Sequence, residues 1–188
     1  EGVITAFGRL GDSFAANRFN VRPDIITMAK GLTSAVIPMS AVAFDTTIYD
    51  QLMKGPEAMI ELFHGYTYSG HPVACAAGIA TLDVYQAEGL FDNAKELEPI
   101  FEEALHSLKG LNQVIDIRNI GLMGAVQFGP GKLPATEFAA NVFQHCYDND
   151  VLVRYSGEFL VLSPSLIASK EHIHQISDAL RNAIEANS

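Results

Sequence analysis

Basic residues are scarce in this 188-residue sequence. It has 12 lysines and arginines against 22 aspartates and glutamates, which leaves a formal net charge of -10. Nucleic acids and anionic membranes attract proteins through a basic surface, so this deficit argues against both as partners. We therefore expect the partners to be small molecules or other protein chains.

Cysteine is nearly absent, and long apolar runs are missing. The 2 cysteines, Cys75 and Cys146, lie far apart in apolar helical contexts, which excludes a disulfide framework or a metal site built on them. We expect both to be small core residues. No apolar run reaches membrane-spanning length, and the first residues lack the order of a signal peptide, so the cytoplasm is the expected location.

What is present is material for a core, because 48% of the residues are hydrophobic. The first half alternates short strands with helices and predicts an α/β class, whereas the part after residue 86 reads as a smaller α+β unit. We therefore predict a boundary between residues 1–86 and 87–188. The predicted strands are 3–6, 25–29, 41–44, 114–118, 122–128, 152–155 and 159–162, and the predicted helices are 47–52, 72–86, 90–108, 136–147 and 170–186. Because the chain opens directly on a strand and offers few strands for a buried sheet, we expect a preceding segment.

Lys30 is the lysine with the most unusual setting. It follows the apolar, β-branched run 25–29 and precedes Gly31, which predicts an amine at the carboxyl end of a buried strand, where α/β sheets bind ligands. Desolvation favours the neutral amine, which is a nucleophile toward carbonyl groups. The alternative is a lysine that extends from a strand end into solvent.

Residues 64–72, read as HGYTYSGHP, deliver hydroxyl groups to the start of a helix at Pro72. The free amides of a first helical turn attract anions, so Thr67 and Ser69 could bind a phosphate. Alternatively, one of them only caps the helix or completes a turn. An AxGxxG pattern at residues 6–11 lacks one glycine of a dinucleotide fingerprint and has no apolar helix after it, which disfavours a nicotinamide site.

Five stretches carry a family resemblance over nearly the whole chain. They are VITAFGRLG at 3–11, PDIITMAKGLTS at 23–34, HGYTYSGHPVACAAG at 64–78, VIDIRNIGLMGAVQF at 114–128 and VLVRYSGEFLVLSPSL at 151–166. The sequence resembles the class III, fold type I, pyridoxal-phosphate-dependent aminotransferases. It is most similar to the β-alanine (ω-amino acid):pyruvate aminotransferases within them.

The resemblance implies a role for three residues. Lys30 is the lysine that forms the Schiff base with pyridoxal 5'-phosphate and moves the proton, Thr67 binds the cofactor phosphate of the neighbouring subunit, and Arg154 receives a substrate carboxylate. It also implies a homodimer with a shared active site, built from the end of the large domain and a small carboxyl-terminal α+β domain. For Arg154, a surface salt bridge is the alternative.

The implied reaction moves an amino group from an ω-amino acid or an amine to a keto acid such as pyruvate. An aminomutase of the same fold, another class III aminotransferase and a non-catalytic remnant are the alternatives. The sequence departs from the family at four positions. Glu1 stands where the family has the aspartate that pairs with the pyridinium nitrogen, Gly2 where an acidic residue is usual, and Ala35 and Ser40 where glycines are usual. Family members are also more than twice as long, which leaves open whether these residues alone bind the cofactor.

Overall fold

The structure, a computed structural model, describes residues 2–59, 62, 64 and 66–188. By internal packing the chain separates into two units. The first comprises the residues up to Gly8 together with Asp12–Gly89, and the second comprises Arg9–Gly11 together with Leu90–Ser188. The division into domains at residues 86 and 87 stays a prediction.

Short elements make up most of the first unit. In chain order these are α1 (Ala15–Arg18), β1 (Ile25–Met28), a 3-10 turn (Lys30–Leu32), β2 (Ala41–Phe44), α2 (Thr46–Leu52), a second 3-10 turn (Glu57–Met59) and α3 (Pro72–Ala87). β1 and β2 pair antiparallel, and Gly2 forms an isolated parallel bridge with Met28 on β1. The predictions for β1, β2 and α2 are confirmed to within one residue at each end.

The predicted strand at residues 3–6 is wrong. Apart from the bridge at Gly2, the chain turns continuously from residue 3 to residue 10. Phe7 and Gly8 have positive φ angles of 61° and 93°, and their amides donate to the carbonyls of Ser13 at 2.8 Å and Asp12 at 3.0 Å. A β-branched run therefore enters a tight reversal that the glycine permits.

α3 is the longest helix of the first unit. It begins at a residue that favours helix starts and is followed by one that favours helix ends. Pro72 occupies its first turn, and Gly89, with φ 63°, follows its end. Its buried residues are Ala74, Gly78 and Tyr85. Cys75 on this helix is only half-buried, which differs from the expected core position, whereas Cys146 in the second unit is fully buried.

The second unit is an antiparallel sheet covered by three helices. Its elements are α4 (Leu90–His106), β3 (Val114–Ile120), β4 (Met123–Phe128), α5 (Ala135–Asp148), β5 (Arg154–Ser156), β6 (Phe159–Leu162) and α6 (Lys170–Ala186). The strand order is β3-β4-β6-β5. Burial alternates along β4, where Gly124, Val126 and Phe128 point into the core. The sequence predicted each of these elements, although β5 begins at Arg154 rather than at Leu152.

A capping box marks the start of α6, the last helix of this unit. The Ser169 hydroxyl accepts from the His172 amide at 3.4 Å, and His172 Nδ1 accepts from the Ser169 amide at 3.0 Å, so α6 begins where the sequence predicts it.

In the described residues no helix is long and apolar enough to cross a membrane. The same residues bring together no metal-binding group of three or more His, Cys, Asp or Glu side chains.

Candidate active site

Lys30 lies at the start of the first 3-10 turn, separated from β1 by Ala29. Its side chain is exposed, and the described part of the chain gives its amine no hydrogen bond or ion pair. The expectation of a buried strand is wrong for these residues, since β1 alternates between exposed and half-buried positions. The desolvation expected around the amine is therefore not supplied by the described part of this chain. What the fold does supply is an uncommitted amine at a strand end.

The backbone under Lys30 is firmly held although its side chain is free. Lys30 has a φ angle of 48°, in the left-handed region that residues with a Cβ atom rarely adopt. The carbonyl of the next residue, Gly31, accepts a hydrogen bond of 2.6 Å from the Tyr85 hydroxyl on α3. Leu32 and Thr33 are buried, and the Thr33 hydroxyl donates to the Ile37 carbonyl at 2.6 Å. The lysine thus projects from a turn that is anchored on its inner side.

Ala35, one of the departures from the family pattern, lies in the same loop. Ser34 and Ala35 also have positive φ angles, of 48° and 63°. Ala35 stands where the resemblance leads us to expect glycine, so the conformation that glycine would adopt freely is kept by a residue with a Cβ atom. Glu1, the residue expected to pair with the pyridinium nitrogen, lies outside the described residues.

Thr67 lies in the exposed turn of residues 67–70 that leads into α3. Neither Thr67 nor Ser69 caps this helix, because His71 is the N-cap residue and no side chain caps α3. The other alternative, that they complete a turn, is confirmed, since both lie in the turn and the Ser69 amide donates to the Tyr66 carbonyl at 3.0 Å. The described part of the chain gives the Thr67 hydroxyl no partner. Both the hydroxyl and the first-turn amides of a 16-residue helix are therefore available to an anion.

Arg154 is the first residue of β5 and pairs with Val161 on β6. Its side chain is exposed and borders a pocket of about 310 Å³. The other lining residues are Leu152, Val153, Val161, Leu162, Ser163, Pro164 and Ile176. Among the described residues it has no ion pair, so the alternative of a surface salt bridge finds no partner there.

Arg118 provides a contrast on the same sheet. Register pairs Arg118 with Ala125, Ala125 with Val161 and Val161 with Arg154, so the two arginines stand at opposite ends of one cross-strand row. Arg118 Nε lies 3.4 Å from the Asp116 carboxylate, and its guanidinium stacks 5.3 Å from the centre of the Phe159 ring. Arg118 is therefore paired with Asp116 and Phe159, whereas the described residues offer the guanidinium of Arg154 no charged partner.

The three predicted site residues fall in different units. Lys30 and Thr67 belong to the first and Arg154 to the second. Sequence reasoning missed Tyr85, which contacts the lysine turn from 54 residues away. No local signal could have found it, because its partner Gly31 lies 54 residues away in the sequence.

Comparison with known proteins gives one consistent family. The family model Aminotransferase class-III matches residues 1–184. An omega-aminotransferase of Caulobacter vibrioides is 48% identical over 184 residues, which are 98% of this chain and 42% of that protein. A beta-alanine–pyruvate aminotransferase of Pseudomonas aeruginosa is 42% identical over 186 residues, with 98% and 42% covered. The chain thus spans about two fifths of the length of these relatives.

Solved structures agree with the sequence comparison. An amine transaminase from an uncultivated Pseudomonas species, in its PLP-bound form, has a TM-score of 0.92 at 35% identity over 99% of this chain and 44% of that chain. The PMP-bound aminotransferase from Vibrio fluvialis has a TM-score of 0.91 at 31% identity, with 98% and 42% covered. These likenesses confirm the predicted fold class and the resemblance stated from the motifs.

Proposed function

The chain belongs to the class-III aminotransferases, and from this premise we propose that the whole protein transfers an amino group from an ω-amino acid or amine to a keto acid such as pyruvate. The observation that carries the proposal is the exposed, uncommitted amine of Lys30 on an anchored turn at the end of β1. The similarity to an omega-aminotransferase and to a beta-alanine–pyruvate aminotransferase supports the substrate class. We further propose a cytoplasmic homodimer.

The described residues fit pyridoxal 5'-phosphate. The amine of Lys30 is free to hold the cofactor covalently, and the Thr67 hydroxyl with the open amides of α3 suits its phosphate. We propose that Thr67 serves the site of the neighbouring subunit. When bound, the cofactor supplies an electron sink for the carbon that loses its proton. Residues 1–86 would then form the end of the cofactor-binding domain, and residues 87–188 the small domain.

The chain's own residues would perform three tasks in this reaction. Lys30 would hold the cofactor and, once released from it, take a proton from the substrate carbon that bears the amino group and deliver it to the cofactor carbon. Thr67 would keep the phosphate in place during both steps. Arg154 would bind the carboxylate of β-alanine or pyruvate, for which the planar guanidinium offers two parallel donors.

Reduction with borohydride tests the central assignment in the full-length protein. The reagent fixes the cofactor on the lysine that holds it, and peptide mapping should find the adduct on Lys30. Lys54, an exposed lysine of the same unit, is the internal control and should stay unmodified. An adduct on another lysine, with Lys30 free, would remove the basis of the proposal. Formation of alanine from pyruvate would separate amino transfer from the aminomutase alternative.

A further inference from the structure

Tyr85 reaches from the last turns of α3 to the backbone that carries Lys30. We propose that Tyr85 is a positioning residue: its hydroxyl holds the Gly31 carbonyl and thereby sets the direction in which Lys30 presents its amine. The inference rests on the proposed role of Lys30 in holding the cofactor. It adds a residue whose action on the amine is indirect, since the Tyr85 hydroxyl bonds to the Gly31 carbonyl of the turn.

The first step is the conformation of the lysine itself. A residue with a Cβ atom is unfavourable at φ 48° and keeps that angle only where the surroundings enforce it. Inside the turn, the Leu32 amide donates to the Ala29 carbonyl at 3.1 Å and the Thr33 amide donates to the Lys30 carbonyl at 3.3 Å. A single 3-10 turn closed by bonds of this length is weak alone, so it needs support from outside.

The second step is that this support comes from α3 and from Phe7. The Tyr85 hydroxyl donates to the Gly31 carbonyl at 2.6 Å, and the tyrosine is buried, with 9% of its surface exposed. Its ring stacks on Phe7 at 6.5 Å between centroids. Phe7 in turn lies against Gly31, where an added Cβ would approach Phe7 Cβ to 3.0 Å. Gly31, the residue next to Lys30, is thus held by the hydrogen bond from Tyr85 on one side and by contact with Phe7 on the other.

The third step concerns the consequence for chemistry. The amine must meet the cofactor aldehyde at bonding distance, and a turn that samples several conformations presents it correctly for a smaller fraction of time. A buried hydroxyl bonded to a carbonyl fixes the turn more tightly than ring packing alone. Loss of the hydroxyl should therefore slow the attachment of the cofactor without changing how the phosphate and pyridine ring bind.

The experiment uses the full-length enzyme freed of cofactor. In Tyr85→Phe we expect the rate of pyridoxal phosphate attachment, followed by absorbance, to fall by about two- to tenfold, the range that one hydrogen bond supplies. In this reaction the lysine nitrogen bonds to the aldehyde carbon and one water leaves. Pyridoxamine phosphate has no aldehyde and cannot attach, so its Kd should stay unchanged. Tyr49→Phe, on exposed α2, is the matched control and should change neither quantity.

Gly31→Ala is a second variant that displaces the same turn from the side of Phe7, and it should show the same split between attachment rate and Kd. If both variants weakened the binding of pyridoxal phosphate and of pyridoxamine phosphate equally, Tyr85 would have a structural role only. An unchanged attachment rate in Tyr85→Phe would also overturn the proposal. Attachment at the wild-type rate in Lys30→Ala would instead refute the proposed function, so the two failures are distinguishable.

Discussion

Replacing Arg154 with alanine should separate substrates by whether they carry a carboxylate. Arg154 is exposed and borders the pocket beside β6, and its guanidinium has no hydrogen bond or ion pair among the described residues. Its removal therefore takes away a charge that the described fold does not use. Stability should change by no more than about 0.5 kcal/mol, as is usual for surface positions of this kind.

The magnitude for binding follows from the contact that Arg154 would make. A hydrogen bond to a charged group contributes about 1.5 to 3 kcal/mol, and 1.4 kcal/mol corresponds to a factor of ten. Arg154→Ala should therefore lower kcat/KM for β-alanine by about 10- to 150-fold. An arylalkyl amine lacks the carboxylate and should react as fast or faster. Arg154→Lys should restore the loss only in part, because an ammonium group cannot form the bidentate pair.

Stopped-flow absorbance of the cofactor in the full-length enzyme measures the two half-reactions separately. Arg118→Ala is the matched control, because Arg118 stands in the same cross-strand row with its charge held by Asp116 and its guanidinium on Phe159. It should cost about 0.5 to 1 kcal/mol of stability and leave the ratio of the two substrates unchanged. Equal losses for both substrates in Arg154→Ala would show that this arginine does not bind the carboxylate.

Three further predictions concern the cofactor and the stability of the chain. Thr67→Ala should weaken cofactor retention by about 1.5 to 3 kcal/mol while the unfolding midpoint of the cofactor-free enzyme stays the same, and an equal loss of stability with and without cofactor would contradict this. Burial raises the pKa of the Cys146 thiol from 9.0 to about 11. Because the thiol ionises first in the unfolded state, the free energy of unfolding in denaturant titrations should fall between pH 9 and 11, and Cys146→Ala should remove this component. Ala35→Gly should raise the free energy of unfolding by up to about 1 kcal/mol, since it relieves a left-handed alanine, and a lower thermal midpoint would refute the strain.

The sequence predicted the elements whose signals are local. α6 begins and ends as predicted, because a capping serine precedes a regular apolar period in the chain. The strand expected at residues 3–6 failed, since its β-branched residues precede Phe7 and Gly8, whose left-handed angles reverse the chain. A short apolar run cannot reveal which backbone the residues after it will adopt.

The candidate site was predictable to a similar extent. Motifs identified Lys30, Thr67 and Arg154, and the structure gives each an exposed side chain with no partner among the described residues. The burial expected for Lys30 was wrong because β1 has only β2 and the bridge at Gly2 as neighbours among the described residues. Tyr85 escaped prediction because its contact with Gly31 depends on the packing of distant segments.

Arg9–Gly11, a short segment of the second unit, has a consequence for how that unit folds. Leu10 is 1% exposed, and the Arg9 carbonyl accepts from the Leu122 amide at 2.9 Å. Gly121 lies so near that an added Cβ would come within 2.5 Å of that carbonyl. The contact between Arg9 and Leu122 closes a loop of more than 100 residues, so we expect it to form later than the local helices of the unit. A piece excised from Leu90 onward would lack Leu10 and forfeit about 2 to 5 kcal/mol, as a large core truncation does.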